Sequence, residues 1–332
     1  MKLSILDQAP ISSGKTAFDA LQSSIKLAQL GEALGYERYW IAEHHDLFGL
    51  ASPNPDVMIG AIGMVTEKIR IGAGAVLLPY YKPFRVAETY NLLATLYPDR
   101  IDLGIGRAPG GSAEVSMALS DNYLQQVKKY PEHIDKLKQF LHRSFPEEHL
   151  YGKISPTPVP ETPPQLWLLG TSEKSALLAA KKGLHYAFGH FMTDADGPEI
   201  VDSYRKHFNK KYSQTDHVIV AVNVICAETS EKANEIAKSS FLWKIQQDKQ
   251  LEQHTVPTVE AAKNYPFTNN DLEKIHEMKQ KMIIGNPNEV KERLVALTKL
   301  YGADELMIVT ITHEEDDKFQ SYRLMAEQLL GH

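Results

Sequence analysis

The chain of 332 residues is 43% hydrophobic, enough for one large core or two modest domains, and it sets 36 Lys and Arg against 42 Asp and Glu for a formal charge of −6. That balance excludes a general binder of phosphate backbone while leaving room for a local basic pocket, and a lone cysteine, Cys226, excludes an internal disulfide and a cysteine-rich metal site. The opening MKLSILDQAP is too short an apolar run for a signal peptide and no stretch approaches the ~18 apolar residues of a membrane span, so a soluble, cytoplasmic protein without membrane or nucleic-acid partners is expected.

Along the chain, short apolar segments rich in β-branched residues alternate with helical patterns. Residues 2–7 read as a strand, and 19–34 as a helix with Leu27, Leu30 and Leu34 at helical spacing. Then come a strand at 38–43, a helix at 56–65, a strand at 70–78 (RIGAGAVLL), a helix at 86–96 and a strand at 100–105. A longer helical region, 113–143, leads through a proline-rich link to a strand at 165–169. The second half continues with a helix at 175–182 stopped by Gly183, a short strand at 185–189, a helix at 199–212 and the longest apolar strand, 217–227 (HVIVAVNVICA). A helix from 230 to about 243 gives way to a polar, poorly periodic stretch, 244–282, expected as a long excursion or lid. Its aromatic neighbours Phe241, Trp243 and Phe267 suit an apolar lid or plain core packing. Asn286 as cap, Pro287 at the first position and Glu289 reaching back start a helix clearly. A last strand at 305–310 and a closing helix marked by Phe319, Tyr322, Ala326 and Leu329 complete the pattern.

Eight strands, each followed by helix, predict an α/β fold: a (β/α)8 TIM barrel, one domain over 1–332 with an insertion near 244–282. A doubly wound sheet is the runner-up, but it usually shows a glycine fingerprint after the first strand, where DQAPISSGK has one glycine. In a barrel, side chains from different strands converge at the C-terminal strand ends. The stretch IAEHHD lies at such an end. Adjacent strand residues face opposite ways, so His44 shares the face of Trp40 and Ala42 while His45 does not. The bland alternative is a hydrogen-bonded core or loop histidine. A metal pair is disfavoured because His-x-His spacing is missing, so no metal is expected, and His313-Glu314-Glu315 reads as a solvated loop. After strand four, the glycines of GIGRAPGG let backbone approach a ligand, and Arg107 offers a planar fork for phosphate or carboxylate. An ordinary glycine turn with a surface arginine stays open there. After strand five, GTSEKS joins strand directly to helix, so Thr171 or Ser172 can cap it while free N–H groups face an anion. Arg107 and that turn, on neighbouring loops, make a plausible phosphomonoester pocket.

AEHHDLFGLASPNP, then IRIGAGAVLLPYYKPFRVAETYNLLATLYPDRIDLGIGRAPGG, then LWLLGTSEKSALLAAKKGL resemble the bacterial luciferase-like, flavin-dependent monooxygenases, and more narrowly the luciferase-family oxidoreductase group of short single-chain members. The resemblance runs from Met1 to about Phe191 and resumes at MIIGNPNEVKERL, whereas 244–281 carries little of it. It implies reduced FMN, or in a sister branch the deazaflavin F420, bound at the C-terminal mouth of the barrel. On this chain it puts Arg107, Thr171, Ser172 and Ser175 at the flavin phosphate, His44 beside the flavin C4a position as the catalytic residue, and a non-proline cis peptide at Gly74-Ala75 under the flavin ring. Barrels commonly seat phosphate after strands seven and eight, so a site on strands four and five is a departure. The chemistry implied is monooxygenation of a small organic substrate with O2 through a C4a-hydroperoxyflavin, which a dry site and a proton-handling histidine would protect. Glu43 and Asp46 would orient the imidazoles or face solvent. Family likeness further implies a separate flavin reductase as electron source, with NADPH entry at the same mouth as the alternative. It implies a homodimer through the second and third helices and a substrate pocket that includes His190-Phe191. An F420-dependent hydride-transfer enzyme and a flavin-binding protein without turnover are the other readings.

Overall fold

Eight parallel strands close into a ring in the computed structural model, which describes residues 1–211, 215–249 and 255–331. Its strands are β1 (Lys2–Asp7), β2 (Arg38–Ile41), β3 (Arg70–Leu77), β4 (Ile101–Gly106), β5 (Gln165–Gly170), β6 (His185–Gly189), β7 (Val218–Cys226), β8 (Ile283–Gly285) and β9 (Glu305–Val309). The ring runs from β1 through β7 in order and returns to β1 through β9, every neighbouring pair parallel. This is the expected (β/α)8 barrel. The eight expected strands are the eight of the ring, and a ninth, β8, lies outside it and pairs with Val224–Cys226 of β7. Three residues are too few to show an alternation in sequence.

Alternation along the ring strands sorts side chains into two layers. Leu3, Ile5, Tyr39, Ile41 and Ile71 face outward and pack beneath the helices. Leu6, Trp40, Trp167, Ile219 and Met307 face inward and fill the barrel, with Trp40 and Trp167 edge to face at 5.5 Å. Gly104 lets β3 and β4 close up around these rings, since a Cβ there would sit 2.1 Å from the Ala73 carbonyl oxygen.

At the N-terminal end of the barrel the interior turns ionic. Arg38, 3% exposed in its side chain, donates to Asp102 at 2.6 Å and to both Glu305 oxygens at 2.7 and 3.0 Å. Arg70 donates to the other Asp102 oxygen, Ser4 to Glu305 and Trp40 Nε1 to Asp102. His217 Nε2 lies 3.4 Å from Glu305. Burial raises the Glu305 pKa, but the His217 and Arg38 contacts outweigh it and hold the carboxyl at about 2.

Most helices fall where expected, with capping boxes at Thr16 and Asn286. The expected 113–143 region is three helices, Ala113–Leu119, Tyr123–Lys128 and Tyr130–Leu141, because Ser120 turns extended, Asn122 caps anew and Pro131 sits in a first turn. The helix expected at 199–212 is Gly197–Lys206, and Tyr212 lies outside the described residues. The helix expected to stop near Trp243 runs Ser230–Asp248, and the excursion also holds Val259–Asn264 and Asn269–Lys281. Phe241 and Trp243 are 2% and 4% exposed, and Phe241 packs with Ile225, Ile236 and Met282 against the β7–β8 wall, so these aromatics are core. Phe267 is half-buried beside Tyr265. Among the described residues, no helix is long and apolar enough to cross a membrane.

Candidate active site

All ring strands point the same way, so His44 after β2, Gly74-Ala75 in β3, Arg107 after β4 and Thr171-Ser172 after β5 share one rim of the barrel. β2 ends at Ile41, two residues earlier than expected, although the Ala42 N–H still donates to Asp7 O at 2.9 Å. The chain then turns, with Asp46 in the left-handed region at φ 52°. Ala42 packs in the inner layer with Trp40, and His44 lies two residues further on, beyond the end of the strand. The His44 N–H donates to Ser52 O at 3.0 Å, while its Nδ1 is buried with no hydrogen-bond partner among the described residues. Burial, and secondarily the neighbouring His45, depress its pKa to about 4. The imidazole is neutral at pH 7 and keeps a free lone pair.

His45 plays a different part. Its Nε2 pairs with Glu43 Oε1 at 2.8 Å and its ring stands edge-on to Tyr80. Glu43 therefore orients His45 rather than His44, and Asp46 is exposed, with Ser112 Oγ at 3.4 Å. The expected cis peptide at Gly74-Ala75 is present, and the β3–β4 register shifts between Ala73 and Val76.

The glycine loop after β4 is more than an ordinary turn. Gly110 has φ 64°, and a Cβ on Gly111 would lie 2.2 Å from the His45 carbonyl oxygen, so the loop presses on the His44 loop. Arg107 is half-buried and its carbonyl accepts from Tyr123 Oη at 2.7 Å. Its guanidinium has no ion pair or hydrogen bond among the described residues. After β5, Ser172 and Ser175 form a capping box at the start of helix Glu173–Lys182. The Ser175 hydroxyl is buried, donating to Ser172 O at 2.6 Å and lying 3.0 Å from Tyr186 Oη. Thr171 and Ser172 are half-buried at the rim.

The floor of the mouth is apolar and small. Ala42, Ala187 and Ala221 line it, flanked by partly buried Leu169, Phe191 and Ile311. His190 Nδ1 lies 2.8 Å from Tyr301 Oη and thereby holds the short turn that carries Phe191. Around the edge, Ser12 Oγ donates to His313 O at 2.6 Å and Ser13 N donates to Val256 O at 2.8 Å. The expectation that 313–315 is simply solvated is corrected: the His313 side chain is 11% exposed and Nε2 lies 3.2 Å from Ser13 O, because the loop after β9 closes against the loop after β1. Two concavities lie away from this rim. One, ≈ 410 Å³, is bordered by Phe84, Lys129, His133 and Phe140, and another, ≈ 350 Å³, by Arg70, Asp99 and Gln165. Neither includes His44 or Arg107, so the chemistry is assigned to the mouth despite their size.

An unpaired guanidinium, a helix start and an orphaned neutral imidazole around a floor of small apolar side chains fit a planar ring compound with an anionic tail. The chain belongs to the luciferase-like monooxygenase family, whose model matches residues 1–304, and is thereby an oxidoreductase of the monooxygenase class. The chain is 42% identical to the protein YceB of Bacillus subtilis (strain 168), over 99% of each. It is 34% identical to the N-acetyl-S-alkylcysteine monooxygenase of the same organism, covering 100% of this chain and 99% of that one. The crystal structure of apo-MsnO8 superposes with TM-score 0.90 at 34% identity, covering 99% of this chain and 98% of that chain. At lower identity the fold alone is shared. It is shared with the FMN complex of the oxygenating constituent of 3,6-diketocamphane monooxygenase (20%, TM-score 0.73), and with an F420-dependent secondary alcohol dehydrogenase bound to an F420-acetone adduct (14%, TM-score 0.64).

What sequence reasoning missed is the scaffolding of the site. Tyr80, Tyr81 and Tyr123 bind the loops to one another, and the only signal for the first two is a pair of adjacent tyrosines directly after an apolar strand.

Proposed function

We propose that the protein is an FMN-dependent monooxygenase that uses reduced FMN and O2 to oxidise a small organic molecule. The observation that carries this reading is the pairing, on one rim, of an Arg107 guanidinium and a buried His44 nitrogen that both lack a hydrogen-bond partner among the described residues. When bound, reduced FMN supplies the electrons that activate O2. Arg107, with Thr171, Ser172 and the helix start that Ser175 caps, binds the phosphate. The Gly74-Ala75 segment supports the ring, and the apolar floor excludes water. His44, neutral at pH 7, holds or returns a proton at its imidazole.

The second reading, F420-dependent hydride transfer, is favoured by the shared fold with the F420-dependent alcohol dehydrogenase. A cofactor titration followed by oxygen-electrode measurements separates the two: saturable FMN binding with substrate-dependent oxygen uptake supports the proposal. Preference for F420 without oxygen uptake replaces it. FMN binding with no turnover of any substrate leaves the non-catalytic reading. In the same titration Arg107→Ala should weaken FMN binding about 10–100-fold, the loss of a charge-assisted hydrogen bond worth about 1.5–3 kcal/mol. Unchanged affinity would remove Arg107 from the site.

The chain has no second nucleotide fingerprint. A separate flavin reductase in the cytoplasm is therefore proposed as the source of reduced FMN. A homodimer is proposed as well, because Val57, Met64, Leu92 and Leu96 leave exposed apolar surface on and beside helices Pro55–Gly63 and Pro83–Leu96. Light scattering should return twice the chain mass, and the monomer mass at micromolar protein would end that part.

A further inference from the structure

We infer that Glu43 is a positioning residue that binds the loop carrying His44, the end of β3 and the glycine loop carrying Arg107 into one preformed frame. The functional meaning of that frame rests on the FMN reading above, while its existence rests on geometry.

The Glu43 side chain is fully buried at 0% exposure, and three donors converge on it. Oε1 accepts from His45 Nε2 at 2.8 Å and Tyr81 Oη at 2.7 Å, and Oε2 accepts from the Leu77 backbone N–H at 3.0 Å. Leu77 is the last residue of β3, two beyond Ala75, so one carboxylate ties the residue before His44 to the strand that contains the cis Gly74-Ala75 bond. His45 extends the tie to the third loop. Its N–H donates to Gly110 O at 2.8 Å, and its carbonyl leaves room only for a glycine at 111. Tyr80 closes the circuit: its hydroxyl donates to Pro109 O at 2.6 Å and its ring stacks on Tyr123 at 5.1 Å, and Tyr123 donates to the Arg107 carbonyl.

A buried carboxylate with three donors is satisfied and costly to disturb. Its replacement by an amide supplies one acceptor oxygen and turns an NH2 group either toward the Leu77 N–H or toward the His45 and Tyr81 donors, so at least one of the contacts that tie the loops is lost. Because the Arg107 loop and the His44 loop hang on the same group, both ends of the site should respond together. Rigid support of this kind is what pre-organises a binding site.

The test uses the full chain with Glu43→Gln, Tyr81→Phe, Arg107→Ala and the Glu43→Gln/Arg107→Ala pair. FMN affinity is read by fluorescence quenching, and His44 by its imidazole 1H–13C signal in the FMN-free protein, assigned with His44→Gln. Glu43→Gln should weaken FMN binding about tenfold and move the His44 signal, whereas Arg107→Ala should leave that signal in place. In the double variant the two losses should fall well short of their product, since Glu43 acts on the phosphate end through the Arg107 loop. Tyr81→Phe, which removes one donor and keeps the carboxylate, should shift both readouts in the same direction by less, and it decides the matter if Glu43→Gln does not fold. Additive losses, or an unmoved His44 signal in both variants, would overturn the inference. Should the wild-type chain bind no FMN, the functional reading fails by itself, and the His44 signal still decides whether the frame exists.

Discussion

On the proposed FMN reading, in which the imidazole handles a proton and does not hold the phosphate, His44→Ala is expected to abolish substrate oxidation while FMN affinity stays within about threefold; positioned acid–base groups are worth ~10²–10⁴-fold. The environment already sets the protonation state. Burial, with the neighbouring His45, holds the His44 pKa at about 4. At pH 7 the ring is therefore neutral, an acceptor at one nitrogen and a donor at the other. The sign of the pH dependence follows. Lowering the pH through about 4 protonates the ring and removes the acceptor, so kcat/KM should be level with respect to this group above that pH and fall below it. Substrate-dependent oxygen uptake over a pH series, beside FMN titration of the same variant, measures both halves. Wild-type turnover by His44→Ala would remove the residue from the chemistry.

The second large effect lies at the other end of the barrel and concerns stability. Arg38→Met removes the shared partner of Asp102 and Glu305, both of whose side chains are 0% exposed. Breaking a buried pair from one side costs about 3–5 kcal/mol because the charge left behind has lost its compensation, even where the intact pair contributes little net. Arg70 still faces Asp102, so the damage centres on Glu305, left with Ser4 and His217. The pH dependence identifies the cause. Glu305 is held at about 2 against a reference of 4.5, so its native contacts contribute stability above about 4.5 that is lost as the pH falls through about 2. In Arg38→Met that contribution is diminished, and the gap between variant and wild type should narrow as the pH drops below about 4.5. Urea unfolding at pH 7 and at lower pH measures it. A loss below about 1 kcal/mol, or a gap independent of pH, would show that this network does not carry the N-terminal half of the barrel.

The ring strands and the Asn286-Pro287 helix start were legible because each depends on local pattern: alternation for the strands, a cap with proline and an acid three residues on for the helix. The inward side of Trp40 and Ala42 was legible for the same reason. The ionic cluster was not. Arg38, Asp102 and Glu305 each stand two residues before an inward-facing position, but they look like solvated strand starts until closure of the ring brings the two acids to within 3 Å of Arg38. Glu43 was legible as a group that could orient an imidazole but not as a tie between loops, for a related reason: its partners Tyr81 and Leu77 come from another strand end, and sequence spacing carries no trace of that meeting. The excursion hid its helices because each shows the core only a thin face. Asp271 is the only buried residue of helix Asn269–Lys281, although Thr268 with Asp271 would have marked its start.

The extra strand β8 extends the sheet beyond the ring. Ile219–Asn223 of β7 pair with β9 and complete the ring, and the remaining Val224–Cys226 run past that contact to carry β8. The sheet thus continues past the ring on one stave, and β8 is added there, outside the circle whose strand number and stagger set the barrel's girth. Altering the length of β8 would therefore leave the walls of the cask in place, because the eight staves keep their pairings without it.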